Sequence, residues 1–557
     1  MCLEGGCGAC VVAITGTHPV TNAKSTWAVN SCLQNIYSCH GMEILTVEGI
    51  GSKKNGMHQV QQRLADFNGT QCGYCSPGMV MNMFSLLEAN SGKVTMKEIE
   101  NSFGGNICRC TGYRPILDAF KSFAVDADER LKAMCRDIED LGGIKSCPKT
   151  GVICKVQCNA VNISKIPLKI QFDEDREWHK VFNLSELFEV LGKIGNSPYM
   201  LVAGNTAHGV YRRSPDLKVF IDVSTINELR SHKVNTDSLE LGGGVTLTEV
   251  MEIFTKLSNE NKNFEYLSEL VKHIDIIANV PVRNNGSLAG NYMIKNQQKG
   301  FPSDLFIIFE PLSVIVSISD GKKVQSLSSK EFLTFNMDKK VVIKFTLPKM
   351  DSSIFFFRSF KIMPRAQNAH AYVNAGFLLE LNDQKSLIVS AKLCFGGIED
   401  SFIHAEKTEQ ILVGKDPFSN ETLQEALKAL KVELKPDWIL PDASPDYRKN
   451  LAMSLFYKFM LMIVPETKSI TRYKSGGAIL QRELSTGTQV IDTYEKNWPL
   501  TKNIPKIEAD VQCTGEAKYV NDFPSMYDEV FGAFVMAKLV HGKIASIDAS
   551  RALVCSF

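Results

Sequence analysis

The sequence predicts a multidomain α+β protein, and three observations carry that reading. The chain has 557 residues, enough for three or four domains. Eight of its sixteen cysteines form two quartets ahead of residue 111, each compact enough to organise a small domain around metal. From about residue 165 onward, strand-like and helix-like segments alternate, as they do in larger mixed domains.

The first quartet lies in MCLEGGCGAC, where Cys2, Cys7 and Cys10 form CxxxxCxxC, and in NSCLQN, which adds Cys32. This is the spacing of a plant-type 2Fe–2S loop. Four thiolates converging on such a core force the loop to curl tightly, with backbone N–H groups facing the inorganic sulfurs. Gly5, Gly6 and Gly8 between the ligands supply the conformational freedom for that curl.

The second quartet pairs Cys72 and Cys75 in QCGYCSPG with Cys108 and Cys110 in CRCTGYRP. Its surroundings are helical. Met79, Met83, Leu86 and Leu87 recur at helical spacing after Cys75, and Thr95 with Glu98 forms a capping box opening a second helix that stops near Gly104 and Gly105. Ile116, Leu117 and Phe120 predict a third amphipathic helix, so a small helical bundle should carry this quartet at its ends.

Two other uses of these cysteines are disulfides and structural zinc. Nothing in the sequence implies an oxidising compartment, and CxxC with CxC could hold Zn²⁺, but tandem quartets of these spacings favour iron–sulfur clusters. Cys147, Cys154 and Cys158 are irregularly spaced and read as free thiols. Cys39, Cys135, Cys394, Cys513 and Cys555 read as buried or incidental.

The order CxEGGCGAC, then QCGYCxPG, then CRCTGYRPI closely resembles the molybdenum hydroxylases, the family of xanthine dehydrogenases and aldehyde oxidases. The resemblance implies a ferredoxin-like (β-grasp) 2Fe–2S domain, then a helical 2Fe–2S domain touching molybdopterin, with Gln71 and Cys110 at pterin-contacting positions. It extends further along the chain. LVAGNTAHG, carrying Leu201, Val202, Ala203, Gly204, Asn205, Thr206, Ala207 and His208, resembles the flavin motif LVVGNTxxG. A strand running into a Gly-Asn-Thr turn can offer free N–H groups and a hydroxyl to a pyrophosphate. Ser287, Leu288, Ala289, Gly290 and Asn291 resemble a second flavin segment, ASLGGN, and Asp304, Val342 and Lys361 fall at further flavin positions. Small residues there let backbone approach the diphosphate, and a carboxylate suits a ribose or adenine. Ile277 stands where relatives carry Phe.

These readings divide the chain into residues 1–49 (ferredoxin-like, shortened at its start), 50–125 (helical cluster domain), 126–164 (linker), 165–350 (an α+β FAD-binding domain of PCMH type), 351–465 (an α+β C-terminal cap), 466–503 (polar connector) and 504–557. The last segment, TGEAKYVNDFP onward, resembles the opening of the family's molybdenum domain. Most pterin contacts, the substrate pocket and the catalytic groups are therefore expected outside this chain, which reads as an N-terminal half, with no catalytic residue of its own.

Net charge is +1, from 62 basic and 61 acidic residues, which favours neither a nucleic-acid nor a membrane partner. The longest apolar run, 451–464, is too short for a bilayer and contains Lys458, so it reads as a buried helix. A cytoplasmic enzyme acting on small molecules is the expectation, homodimeric if it follows the family.

Dehydrogenase members carry a Phe-Phe-x-x-Tyr-Arg element that helps bind NAD. The corresponding stretch is EFLTFNMDKK, in which Phe332, Leu333, Phe335 and Asn336 occupy those positions and no Tyr-Arg pair is present. An aromatic platform and a guanidinium are lost together, which favours the aldehyde oxidase branch with oxygen as acceptor over NAD reduction. The resemblance thus implies oxidation of aldehydes or N-heterocycles at molybdenum, with electrons passing through two 2Fe–2S clusters to FAD. A stand-alone iron–sulfur flavoprotein and a zinc-stabilised interaction module are the competing readings.

Overall fold

The computed structural model describes residues 2–133, 166–173, 175–438, 443–468, 471–487, 493–502, 504, 506–536 and 541–554. Cys135, Cys147, Cys154, Cys158, Cys555 and most of the expected linker lie outside the described residues. The chain forms two compact units, one reaching Glu516 and one from Ala517. Among its described residues, the second holds only a 3-10 turn, Val520–Asp522, and a short helix, Ser550–Leu553.

In the first unit, strand Val11–Thr17 is flanked antiparallel by Lys24–Asn30 and Glu43–Leu45. Strand alternation splits its side chains between two faces. Val11, Ala13 and Ala28 face a core shared with helix Ser76–Ala89, while Ile14 and Val29 close over Cys39 on the opposite face. The two cysteine-bearing regions therefore do not have separate cores; Met79, Val80, Met83, Ile99, Ile116 and Phe120 pack into the same apolar mass as the sheet. Helix Met96–Ser102 starts at the expected capping box, with Thr95 and Glu98 satisfying each other's N–H groups, and helix Arg114–Lys121 follows the second quartet.

The next region combines two sheets. Tyr199–Val202 and Glu177–Lys180 flank Val219–Asp222 as parallel neighbours, with Leu168–Gln171 antiparallel at the edge. A five-stranded antiparallel sheet has the order Val324–Ser328, Ile315–Ser319, Val341–Pro348, Ser238–Gly242, His232–Val234. Beneath it, Tyr292 gathers the rings of Phe306, Phe309, Phe332 and Phe345. A third sheet, Phe355–Ile362, Val373–Leu381, Ile388–Gly396 and Phe402–His404, buries Phe377 and Leu379 against helices Asn420–Glu433 and Pro445–Ile463. Leu378, on its other face, joins the core under the five-stranded sheet. The apolar run around Lys458 is thus a buried helix, and among the described residues no helix is long and apolar enough to cross a membrane.

Composition placed a boundary near residue 504, yet helix Ala509–Cys513 packs into the core of the cluster region, burying Ala509 and Cys513. A second long-range tie is polar. Lys180 is fully buried, donates to the carbonyls of Ser38 (3.0 Å) and His40 (3.3 Å), and lies 3.9 Å from the Asp222 carboxylate. Replacing Lys180 with Met is expected to cost about 3 kcal/mol, because Asp222 loses its counter-charge and two carbonyls lose a donor. Adding Asp222→Asn should recover most of that loss. Thermal unfolding of the single and double variants checks this, and equal instability of the two would remove the ion pair from the account.

Candidate metal centres and flavin site

The first loop turns on residues with positive φ: Leu3 (58°), Gly5 (74°) and Gly8 (69°). A Cβ at Gly8 would lie 2.5 Å from the Gly105 carbonyl, so glycine is needed there for space as well as conformation. The four sulfurs stand as two pairs, Cys2 with Cys7 and Cys10 with Cys32. Backbone N–H groups of Glu4, Cys7 and Gly6 are directed at the Cys2 sulfur, and that of Gly5 at Cys32. Hydrogen bonding from the Cys32 thiol pushes Cys10 down to about 6 against the effect of burial. The same bond pushes Cys32 up.

The second quartet repeats the arrangement, as Cys75 with Cys108 and Cys72 with Cys110. Burial pushes Cys75 up to about 12. Cys108 is also buried, but the Thr111 hydroxyl (3.0 Å) and N–H (3.4 Å) hold its sulfur below the usual thiol range. The Cys108 N–H donates to the Tyr113 hydroxyl at 3.1 Å. Gln71 and Cys110 are exposed at the outer end of this site.

None of these eight cysteines is in a disulfide. Two pairs of sulfurs, each pair flanked by inward N–H groups, suit a binuclear 2Fe–2S core, in which each iron takes two cysteines. Among the described residues no three His, Cys, Asp or Glu side chains converge on a point that could hold a single metal ion.

One loop joins these sites. The Ile107 N–H, beside Cys108, donates to the Cys7 carbonyl at 2.9 Å, and Asn106 reaches the Gly8 carbonyl. On the opposite side, Asn279 donates to the Gly5 carbonyl (2.9 Å), Asn368 to Gly6 (2.8 Å) and Arg212 to Leu3 (3.1 Å). Asn205 reaches the Leu33 carbonyl at 2.7 Å, next to Cys32.

The flavin-like segments also come together. Leu201 and Val202 end their strand, Ala203 and Gly204 lead into Asn205 at φ 55°, and Thr206, Ala207 and His208 begin a 3-10 turn. A Cβ on Gly204 would meet the Asn285 carbonyl at 2.0 Å, and one on Gly286 would lie 3.5 Å from the Thr206 hydroxyl. Ala289 lies against Gly243, which in turn contacts the Val342 carbonyl. Among the described residues the buried Asn205 Oδ1 has no partner, which makes it an acceptor suited to a ligand donor.

The second flavin segment differs from a diphosphate cradle. The first N–H groups of helix Leu288–Gln297 are committed internally: Leu288 to Val245, Ala289 to Gly243, Gly290 to the Ser287 hydroxyl. Asn291 accepts from Ser303. The 204–208 turn, with Arg212 and Arg213 close behind it, is thus the more suitable anion cradle. Those arginines draw His208 below its usual range, after burial as the main cause. The sequence reading passed over them, although consecutive arginines following the turn were a legible signal.

Asp304 and Lys361 are buried rather than surface charges. Asp304 accepts from Lys361 (2.8 Å), Asn374 (2.8 Å) and His273 (3.3 Å), while Lys361 also donates to the Ile276 carbonyl. Lys361 and His273 outweigh burial and hold the Asp304 carboxyl well below its usual range. Both carboxylate oxygens are therefore engaged inside the protein. At the dehydrogenase-type position, Phe332 is core, and Lys340 stands over the Phe335 ring at 5.3 Å. Ile277 is buried.

Residues 46–121 match the 2Fe-2S binding domain, 170–350 the FAD binding domain in molybdopterin dehydrogenase, and 358–463 the CO dehydrogenase flavoprotein C-terminal domain. These matches place a 2Fe-2S binding domain ahead of a flavin-binding domain of the kind found in molybdopterin dehydrogenases. Over 98% of its length the chain is 33% identical to an indole-3-acetaldehyde oxidase and 32% identical to an abscisic-aldehyde oxidase, both of Arabidopsis thaliana. It is 29% identical over 99% to xanthine dehydrogenase 1 of the same plant. Along nearly its whole length the chain is thus similar to aldehyde oxidases and xanthine dehydrogenases, and it spans 43–44% of the length of these relatives.

One contact between cluster and flavin regions depends on pH. His18, in the hairpin between the first two strands, donates from Nε2 to Glu249 (3.1 Å), which also caps helix Leu247–Glu260 and binds Arg230. His18, Arg230 and the Thr246 N–H outweigh burial and lower Glu249 from 4.5 to about 2. A depressed carboxyl stabilises the fold fully above about pH 4.5 and loses that contribution as pH falls toward 2. The stability difference between the parent chain and Glu249→Gln, measured by urea unfolding, should be largest near neutrality and shrink below about pH 4.5.

Proposed function

We propose that this chain is the electron-carrying portion of a molybdo-flavoenzyme of aldehyde oxidase type, acting on aldehydes or N-heterocycles. Cys2, Cys7, Cys10 and Cys32 would hold one 2Fe–2S cluster, and Cys72, Cys75, Cys108 and Cys110 the other. When bound, these clusters supply one-electron transfer and FAD supplies conversion to two-electron chemistry. The 201–208 turn, with Asn205 Oδ1 and the Arg212–Arg213 pair, would receive the flavin's diphosphate. Ser287 to Asn291 and Val342 would line its other side, with Asp304 and Lys361 bracing that wall from behind.

The observation that carries the reading is the single loop 2–10, hydrogen-bonded to Ile107 on one side and to the flavin region on the other. Such continuity gives each carrier a bonded neighbour and leaves the chain's residues to fix distances, exclude water and orient N–H groups. Gln71 and Cys110, exposed at the outer end of the second quartet, suit contact with a pterin. Lys340 over Phe335, in place of a Tyr-Arg pair, favours oxygen over NAD as acceptor. A cytoplasmic homodimer accords with the balanced charge and with the family.

The full chain, assembled anaerobically with iron, sulfide and FAD supplied, is expected to be brown, with about four irons per chain and two distinct paramagnetic signals on reduction. Cys32→Ser should abolish one signal and Cys108→Ser the other, both retaining flavin. Gly204→Ala should lose flavin and keep both signals. A colourless, zinc-containing protein would overturn the proposal.

A further inference from the structure

An N–H group aimed at a ligand sulfur has a carbonyl at the other end of the same peptide. What that carbonyl meets decides how firmly the peptide is held and how strongly its N–H is polarised. The Gly6 N–H faces the Cys2 sulfur, and the carbonyl of that peptide, on Gly5, accepts from Asn279 at 2.9 Å and, more weakly, from Asn30 of the same region at 3.3 Å. The Cys7 N–H faces the same sulfur, and the carbonyl of its peptide, on Gly6, accepts from Asn368 at 2.8 Å.

The second quartet shows the same construction. The Cys72 N–H is directed at the Cys110 sulfur, and the carbonyl of that peptide, on Gln71, accepts from Gln512 at 3.1 Å and from Lys506. Gln512 also donates to the Cys72 carbonyl at 3.1 Å and accepts from Thr70 at 3.0 Å, so its amide is fixed on three sides.

None of the three amides belongs to the region whose sulfurs it backs. Asn279 comes from the region matching the FAD binding domain, Asn368 from that matching the flavoprotein C-terminal domain, and Gln512 from the short helix Ala509–Cys513. Asn279 and Asn368 are tied to each other as well, the Asn279 amide donating to Asn368 Oδ1 at 2.9 Å. Asn279 is 1% exposed and Gln512 8% exposed, so neither bond is diluted by solvent.

We infer that Asn279, Asn368 and Gln512 are positioning residues that raise the reduction potentials of the two clusters from outside the cluster domains, Asn279 and Asn368 acting on the first and Gln512 on the second. The inference rests on the cluster reading proposed above. Reduction adds negative charge to a 2Fe–2S core, and hydrogen bonds to its sulfurs favour the reduced form. An amide on the peptide carbonyl strengthens the N–H at the opposite end and prevents that peptide from turning away.

The test uses the full chain carrying both clusters and FAD, titrated reductively while the two paramagnetic signals are followed separately. Asn279→Ser keeps an oxygen to accept from Val282 N–H but cannot reach the Gly5 carbonyl, and Asn368→Gly suits that residue's φ of 57°. Each is expected to make reduction of the first cluster about tenfold less favourable, a fall of about 59 mV for one electron, and leave the second unchanged. Gln512→Met should do the reverse. Asn284→Ser breaks a different bond between the same regions, to the Ala28 carbonyl at 2.9 Å, and should move neither potential.

Unchanged potentials in variants retaining both signals would overturn the inference. So would equal shifts of both clusters in any one variant, or a shift in Asn284→Ser as large as in Asn279→Ser, since either pattern marks general loosening. A parent chain without the two signals would instead overturn the cluster reading, and the inference with it. Either asparagine variant suffices for the first cluster if the other does not assemble.

Discussion

A backbone that turns its N–H groups toward sulfur must turn its carbonyls the other way, and that constraint organises the first unit. Between Leu3 and Gly8 the inward N–H groups serve Cys2 and Cys32, which leaves a row of outward carbonyls to satisfy. Arg212 takes Leu3, Asn279 takes Gly5, Asn368 takes Gly6, Ile107 takes Cys7 and Asn106 takes Gly8. Asn30 also donates to Gly5 and the Val11 N–H to Gly8, both at 3.3 Å, and the other donors come from beyond the ferredoxin-like region. The loop that wraps the sulfurs is therefore also the surface on which the helical and flavin regions meet, and its backbone satisfaction depends on both.

Close approach makes this arrangement possible and narrow. Gly78 stands where a Cβ would be 2.0 Å from the Gly8 carbonyl, and Gly209 where one would be 2.4 Å from that of Glu4. Side chains at these positions would hold the regions apart and strand the carbonyls between them, at about 1–3 kcal/mol for each buried group left unmet. The shared core beneath the sheet and helix Ser76–Ala89 resists the same separation with apolar contact. Polar and apolar forces thus act on one interface from two sides.

Local chemistry was legible in the sequence, and long-range chemistry was not. The capping boxes at Thr95–Glu98 and Thr246–Glu249, the helix after Cys75 and the turn at Gly204–Asn205 each rest on residues within a few positions of one another. Asp304 and Lys361 look like surface charges until the sheet brings Lys361, Asn374 and His273 around one carboxylate. Asn279 and Asn368 are single amides in loops, the commonest place for asparagine, and nothing nearby signals that their partners are Gly5 and Gly6. Gln512 lies beyond a polar connector that composition assigns elsewhere, yet its partners are Gln71 and Cys72. Periodicity cannot reveal bonds of this kind, because they depend on which loops the fold brings together.

The chemical type of the donors carries a further argument. Each cysteine loop meets neutral amides on its buried side and one cation toward solvent, Arg212 at the Leu3 carbonyl and Lys506 at that of Gln71. A fully buried cation would carry a large desolvation cost and would shift any nearby negative centre by its full charge. An amide polarises the same peptide without net charge, so its influence is confined to the bond it makes and is insensitive to salt. The exposed Arg212 is screened by solvent and ions, so it contributes orientation more than field. Holding sulfur-facing peptides with asparagine and glutamine therefore separates two tasks that a lysine or arginine would merge: fixing the loop against its neighbours, and setting the charge that its metal site feels.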